Sequence, residues 1–276
     1  MHSLSAGDDF TLSGYEEYTT LENPTECDIT DDDFDTDFPG TYFVEYSVKD
    51  AADNEDNFYV VVMVLSDYYD DAVGLSGDDL LLSLRTIINT DVQRKSYEDA
   101  KTILQESDCD PNNEDNVILI YLGTSVPGQW DAGTTWNREH IWPQSRMEGV
   151  YRADDDLHNL KPANPSENSS RGNKYFSDVK TTETYAPREE VRGDIARILF
   201  YMTLMYEELE LVNTAPDGNQ MALLDVLIEW HNDDQVDDFE TNRNDVIYGY
   251  QNNRNPFIDY PFFYELIYNS ELLIWQ

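Results

Sequence analysis

Two stretches near the start of the chain alternate between apolar and polar positions: GTYFVEYSV at 40–48 and NFYVVVMVL at 57–65. Both are rich in β-branched and aromatic residues, and the polar run KDAADNED at 49–56 separates them. Period-two alternation around a turn-forming cluster predicts a β-hairpin. The period changes after residues 66–71. From Ser76 onward Leu80, Leu81, Leu84, Ile87 and Ile88 recur at helical spacing, behind acidic residues suited to a helix N-terminus. Ser96 opens SYED, which has capping-box spacing with Asp99 where Glu or Gln is preferred, and predicts a second, short helix. Residues 117–122 read as a buried strand. Residues 192–211 read as a long helix with Ile195, Ile198, Leu199 and Met202 on one face, and 223–230 belong to another. NRNPFIDYP at 253–261 ends a helix and begins a tail. No internal repeat is visible. The pattern predicts a small all-β module over residues 1–66 and an α+β domain over 67–276.

Composition leaves that picture intact but adds a constraint. Forty per cent apolar and 13 per cent aromatic residues in 276 are enough for a core, which excludes a disordered acidic tail. The net charge of −40 is the outlier. Self-repulsion at that level weakens the compact state in dilute buffer, and salt relieves it, as on the solvated acidic surface of salt-adapted proteins. Residues 1–20 contain no basic segment followed by an apolar run, so no signal peptide is visible. Apolar runs such as 59–65 are too short to cross a membrane, so no membrane insertion is expected. Nothing in the sequence calls for an obligate protein partner. The two cysteines, Cys27 and Cys109, are too far apart in sequence for spacing to decide whether they pair.

Charge is not spread evenly. Residues 1–65 hold 17 acidic residues and one basic one, Lys49, whereas 136–200 hold ten of the 17 Lys and Arg against 11 acids. Attraction of a polyanion such as nucleic acid is one reading of that neutral segment; internal salt bridges are the other. Two clusters lie inside it: NREH at 137–140, and DLHNLKP at 156–162 followed by ENSSRGN at 167–173. Hydrolysis of a phosphodiester needs a base for water, which imidazole supplies near neutral pH. It also needs a hard cation on the phosphate and leaving oxygen, for which one carboxylate and one amide oxygen are sufficient protein ligands. Glu139, Asn168 and His140 could supply these. Neighbours on a strand face opposite ways, so Glu139 and His140 need a kink or a strand end to meet at one phosphate.

The string from Trp136 to Phe176, WNREHIWPQS followed by DLHNLKPANPSENSSRGNKYF, resembles the bacterial endonuclease I family, which carries NREH-WPQS, DLHNL-P and N-x-x-R-x-N in this order. Further similar segments spread over most of residues 69–262, among them RGDIAR at 192–197 and NRNPF at 253–257. The resemblance implies a ββα-metal (His-Me finger) nuclease with surrounding helices. It implies Glu139 and Asn168 as ligands of one Mg²⁺, with Mn²⁺ or Ca²⁺ able to substitute, and His140 as general base. It also implies an arginine near the scissile phosphate; Arg152 and Arg146 are the candidates. Arg138, Lys161, Arg171, Asn173 and Lys174 are candidate nucleic-acid contacts, with Arg171 and Asn173 supporting the site or touching phosphate. DNA is the expected substrate and RNA a second, with little sequence specificity. Residues 10–65, with PGTYFVEYSVKDAADNEDNFYVVVMV, resemble the last strands of bacterial immunoglobulin-like surface modules, with Asp53-Asn54 replacing the usual Gly-Asn and expected to loosen the turn. The chain is thus expected to be secreted or associated with the cell surface.

Other readings stay open. His158 is expected to orient the site through hydrogen bonds. Of Asp154, Asp155 and Asp156, at least one is expected to cap or to pair with an arginine, the others lowering affinity for nucleic acid. Asp108, Asp110, Asn112 and Asp115 could hold a structural Ca²⁺ or form a network of turn bonds. Trp142 and Tyr175 could stack on a base or pack in the core. One competing function is a secreted adhesion or binding protein with a degenerate nuclease domain. Another is a zinc hydrolase using His140 and His158, for which no third nitrogen or sulfur ligand is near in sequence.

Overall fold

The computed structural model describes residues 1–11, 18–22, 24–30 and 34–268. They form two compact units, one of residues 1–87 with the C-terminal segment from Tyr260, the other of Ile88–Asp259.

In the first unit, β1 (His2–Ser5), β2 (Pro24–Ile29), β3 (Gly40–Asp50) and β4 (Glu55–Leu65) make one sheet in the order β1-β4-β3-β2. β3 and β4 are the predicted hairpin, paired antiparallel from Gly40↔Val64 to Lys49↔Glu55. Val44, Tyr46, Val60, Val62 and Val64 bury the inward face, as period two requires. The turn is tied down, contrary to expectation. Asp53 takes a left-handed backbone (φ 60°), and the Asp50 carboxylate accepts the amides of Ala52 and Asn54 at 2.8 and 3.0 Å. The immunoglobulin-like reading rests on sequence pattern; the described residues of this unit form a single sheet. α1 (Gly77–Asn89) buries Leu80, Leu84 and Ile88, the helical stripe. The C-terminal segment, expected as a tail, instead contains a helix at Phe263–Tyr268. Tyr260 donates its hydroxyl to the Val64 carbonyl at 3.0 Å, and Tyr69 packs edge-on against Tyr260 and Phe263.

The second unit carries the two sequence clusters. α2 (Ala100–Ser107) follows a capping box in which Ser96 and Asp99 exchange backbone and side-chain bonds of 2.9 and 3.2 Å. Asp99 therefore does the work of the preferred Glu. β5 (Cys109–Asp110), β6 (Asn113–Ile118) and β7 (Ser125–Pro127) form a small antiparallel sheet. β8 (Asn137–His140) and β9 (Leu160–Ala163) pair antiparallel without a bulge, Glu139 opposite Lys161 and His140 opposite Leu160. α3 (Pro165–Arg171) follows at once, with Asn164 accepting the amides of Ser166 and Glu167 and Pro165 in the first turn. Short parallel pairs β10 (Tyr175–Phe176) with β11 (Thr184–Tyr185), and β12 (Glu210–Val212) with β13 (Gln220–Ala222), flank α4 (Arg192–Met205). α4 ends before residue 211 because its chain turns extended at Tyr206, and it is buried on nearly every side rather than along one stripe. α5 (Leu224–Asp233), α6 (Asp238–Gln251) and α7 (Pro256–Asp259) complete the unit.

A core of Ile103, Leu104, Val117, Trp136, Leu157, Leu160 and Ile247 joins α2, β6, β9 and α6 beneath β8. NRNPF is a pin rather than a tail. Asn255 accepts the Phe257 amide and donates to the Arg197 carbonyl, and Asn253 donates to Tyr201. Asp110 spends an oxygen on the Asn112 amide, and Asp108 is withdrawn into the interior by Lys161 and Arg243. The acidic loop is thus held by turn and ion-pair bonds. Cys27 and Cys109 form no disulfide.

Candidate active site

Successive residues of β8 face opposite ways, and the structure uses both faces. Glu139, 3% exposed, points toward α3, where its Oε1 accepts the Tyr121 hydroxyl at 2.6 Å and Arg171 Nη1 at 2.8 Å. Asn168 and Arg171 are three apart on α3 and so share a face, which lies along β8. Asn168 Nδ2 donates to Asn137 Oδ1 (2.9 Å) and the Arg138 carbonyl (3.3 Å), while Arg171 reaches the carbonyls of His140 and Ile141. The N-x-x-R spacing is therefore the stitch between helix and strand.

His140 ends the strand and turns its ring to the other side. Tyr97 stacks on it with centroids 5.4 Å apart and planes 20° apart, and Nε2 lies 2.9 Å from the Asp154 carbonyl. A carbonyl only accepts, so Nε2 carries the proton and Nδ1 keeps the lone pair. Burial holds the ring below the usual imidazole range, partly offset by the Asp154 carbonyl and carboxylate, so Nδ1 is unprotonated near neutral pH. Burial pushes the Glu139 carboxyl up, opposed first by Arg171 and then by Tyr121.

The donor set suits a hard divalent ion. Both side-chain donors to Glu139 land on Oε1, leaving Oε2 unclaimed by any side chain; Asn168 is tied through Nδ2, leaving Oδ1. Two oxygens suffice for Mg²⁺, which keeps much of its water. The zinc alternative lacks support. His158 is fully buried against Tyr201, with Nε2 3.3 Å from the Asn253 carbonyl, and no group of three or more His, Cys, Asp or Glu suited to a metal occurs among the described residues.

Comparison with known proteins decides the family. The endonuclease I family matches residues 76–186 and 181–262. The chain belongs to the endonuclease I family. An extracellular ribonuclease of Bacillus subtilis (strain 168) is 39% identical over 218 residues, which cover 70% of this chain and 75% of the relative. The same figures hold for an extracellular ribonuclease of Bacillus amyloliquefaciens. An extracellular deoxyribonuclease of Aeromonas hydrophila is 33% identical over 146 residues, 47% of this chain and 57% of the relative.

In this endonuclease I chain the cations of the neutral segment are mostly spent internally. Seven of the ten, at 138, 152, 161, 171, 188, 192 and 197, form ion pairs. Two candidate nucleic-acid contacts, Lys161 and Arg138, are thereby corrected, while Arg171 lies in the supporting one of the two places expected for it. Lys161 (2% exposed) serves buried Asp108, and Arg171 (1% exposed) serves Glu139. Arg138 lies over the Tyr97 ring, 3.4 Å from its centroid, and donates to the Tyr97 carbonyl. Desolvated carboxylates in so acidic a chain need partners, and these cations are the ones supplied. Asn173 is exposed and Lys174 half-buried, so both remain open to solvent. Arg146 bonds the carbonyls of Pro216 and Gln220, and Arg152 bonds Asp155 and the Lys95 carbonyl; both residues are half-buried.

Two of the three consecutive aspartates pair with arginine. Asp155 takes Arg152, while Asp156 takes Arg94 at 3.0 Å, the hydroxyls of Tyr201 and Tyr206, Gln251 and the His158 amide. That buried knot fixes the loop that presents the Asp154 carbonyl to His140. Trp142 is in the core, its indole bonded to the Arg146 carbonyl. Sequence reasoning missed Tyr97, Tyr121 and Arg94. Only Tyr121 left a trace, a hydroxyl within an otherwise apolar run.

Proposed function

We propose that this chain is a secreted, divalent-metal-dependent endonuclease of ββα-metal (His-Me finger) type, which hydrolyses phosphodiester bonds of nucleic acid with little sequence specificity. The observation that carries the reading is the meeting of β8 and α3. It sets a carboxylate and an amide oxygen on one side of the strand and a neutral imidazole with a free lone pair at its end. Glu139 and Asn168 would hold a Mg²⁺, which when bound neutralises charge on the phosphate and the leaving oxygen. His140 Nδ1 takes a proton from the attacking water, and the Asp154 carbonyl and Tyr97 keep the ring oriented for it. Arg146 and Arg152 would supply a guanidinium group to the phosphate, and Asn173 and Lys174 outer contacts to the backbone. The chain shows no base-reading motif. The relatives named above act on RNA in two cases and DNA in one, so both polymers are proposed as substrates, and their extracellular naming supports export. The adhesion-only alternative is not favoured, because the chain belongs to a nuclease family.

A gel assay with supercoiled DNA and structured RNA, with Mg²⁺ or EDTA, tests this. Cleavage of at least one polymer that EDTA abolishes is expected. Cleavage unaffected by EDTA would overturn the metal requirement, and no cleavage of either would overturn the activity.

A further inference from the structure

The two side-chain hydrogen bonds on Glu139 are asymmetric. The Tyr121 hydroxyl (2.6 Å) and Arg171 Nη1 (2.8 Å) both land on Oε1. Arg171 is anchored independently of the carboxylate by the carbonyls of His140 and Ile141, and its guanidinium lies over Phe176. Tyr121 is likewise buried, and its ring packs 4.8 Å from that of Tyr185, whose own hydroxyl goes elsewhere, to Glu167. Two fixed donors on one oxygen set the carboxylate's torsion, so the other oxygen has a single direction in which to present its lone pairs.

We propose that Tyr121 is a positioning residue for metal binding: with Arg171 it occupies Oε1 of Glu139 so that Oε2 is presented to the divalent cation. The inference rests on the metal role given to Glu139 above. Arg171 serves the fold as well, through its carbonyl bonds, whereas the Tyr121 hydroxyl has one partner, Glu139. Its removal therefore acts on the carboxylate alone. A neutral donor bonded to a charged acceptor is worth enough that losing it should weaken binding about tenfold.

The test is Mn²⁺ affinity by titration calorimetry on full-length protein carrying His140→Ala, with melting temperature in metal-free buffer as the check on folding. Tyr121→Phe should raise the Mn²⁺ dissociation constant about tenfold, and Tyr185→Phe, which strips the neighbouring hydroxyl, less than twofold. Should the Phe variant not fold, Tyr121→Met removes the same donor and should give the same loss. Glu139→Gln separates the two claims. If it binds Mn²⁺ as tightly as its parent, the metal role of Glu139 is wrong. If it loses binding while the Tyr121 variant keeps parental affinity, or if the Tyr185 variant weakens binding equally, the positioning role alone is overturned.

Discussion

His140 and His158 are both buried imidazoles, yet their surroundings differ. His140 has a ring nitrogen left over after the Asp154 carbonyl is satisfied, and its depressed pKa keeps that nitrogen unprotonated. The acid limb of the cleavage pH profile should therefore lie below the ~6.5 of free imidazole. A limb above that value would contradict the burial argument. His158 is held neutral by burial, its pKa brought down to about 4. A folded pKa below the unfolded one gives stability that is complete above pH ~6.5 and is lost as pH falls from there toward about 4. That contribution is about 3 kcal/mol. Denaturant melts of parent and His158→Asn at pH 7 and pH 4 should show the difference between them shrinking by this order on acidification. An equal difference at both values would remove His158 as a contributor.

At the level of elements, the β8–α3 unit was legible through the family resemblance, whose motifs lie close together in sequence. N-x-x-R on a helix must share a face, and NREH on a strand must alternate, so the motif and the geometry carry the same information. Tyr97 and Tyr121 were not legible, because they reach the site through tertiary packing that no short spacing encodes. The cations show the same limit: a count of Lys and Arg in 136–200 cannot distinguish a face turned to a polyanion from charges turned inward. Arg197 illustrates the inward use, its guanidinium meeting Glu240 at 2.8 and 2.5 Å in a buried bidentate pair between α4 and α6. Removing one partner of such a pair leaves a desolvated charge, so Arg197→Met should cost about 3–5 kcal/mol in denaturant unfolding. A loss under ~1 kcal/mol would mean that Glu240 finds relief as a neutral acid.

Across the whole molecule, a net charge of −40 is expected to work against both the fold and a polyanionic substrate. With most cations of the neutral segment committed to ion pairs within the chain, few are left to meet a phosphate backbone. Salt ordinarily weakens nuclease binding by reducing counterion release. Here it also screens acid from acid and acid from phosphate, with a Debye length near 8 Å at physiological strength. Activity should peak well above physiological ionic strength, and the melting temperature should climb over the same range. Activity highest in dilute buffer and falling steadily with added salt would show that phosphate contacts outweigh surface repulsion.

The central claim is that His140 is the base of a metal-dependent nuclease. The most direct measurement is the initial rate of Mg²⁺-dependent nicking of supercoiled plasmid by parent and His140→Ala at equal concentration and matched thermal stability. The account predicts a fall of about 10²–10⁴-fold, the usual contribution of a general base. A variant that nicks as fast as its parent would contradict it.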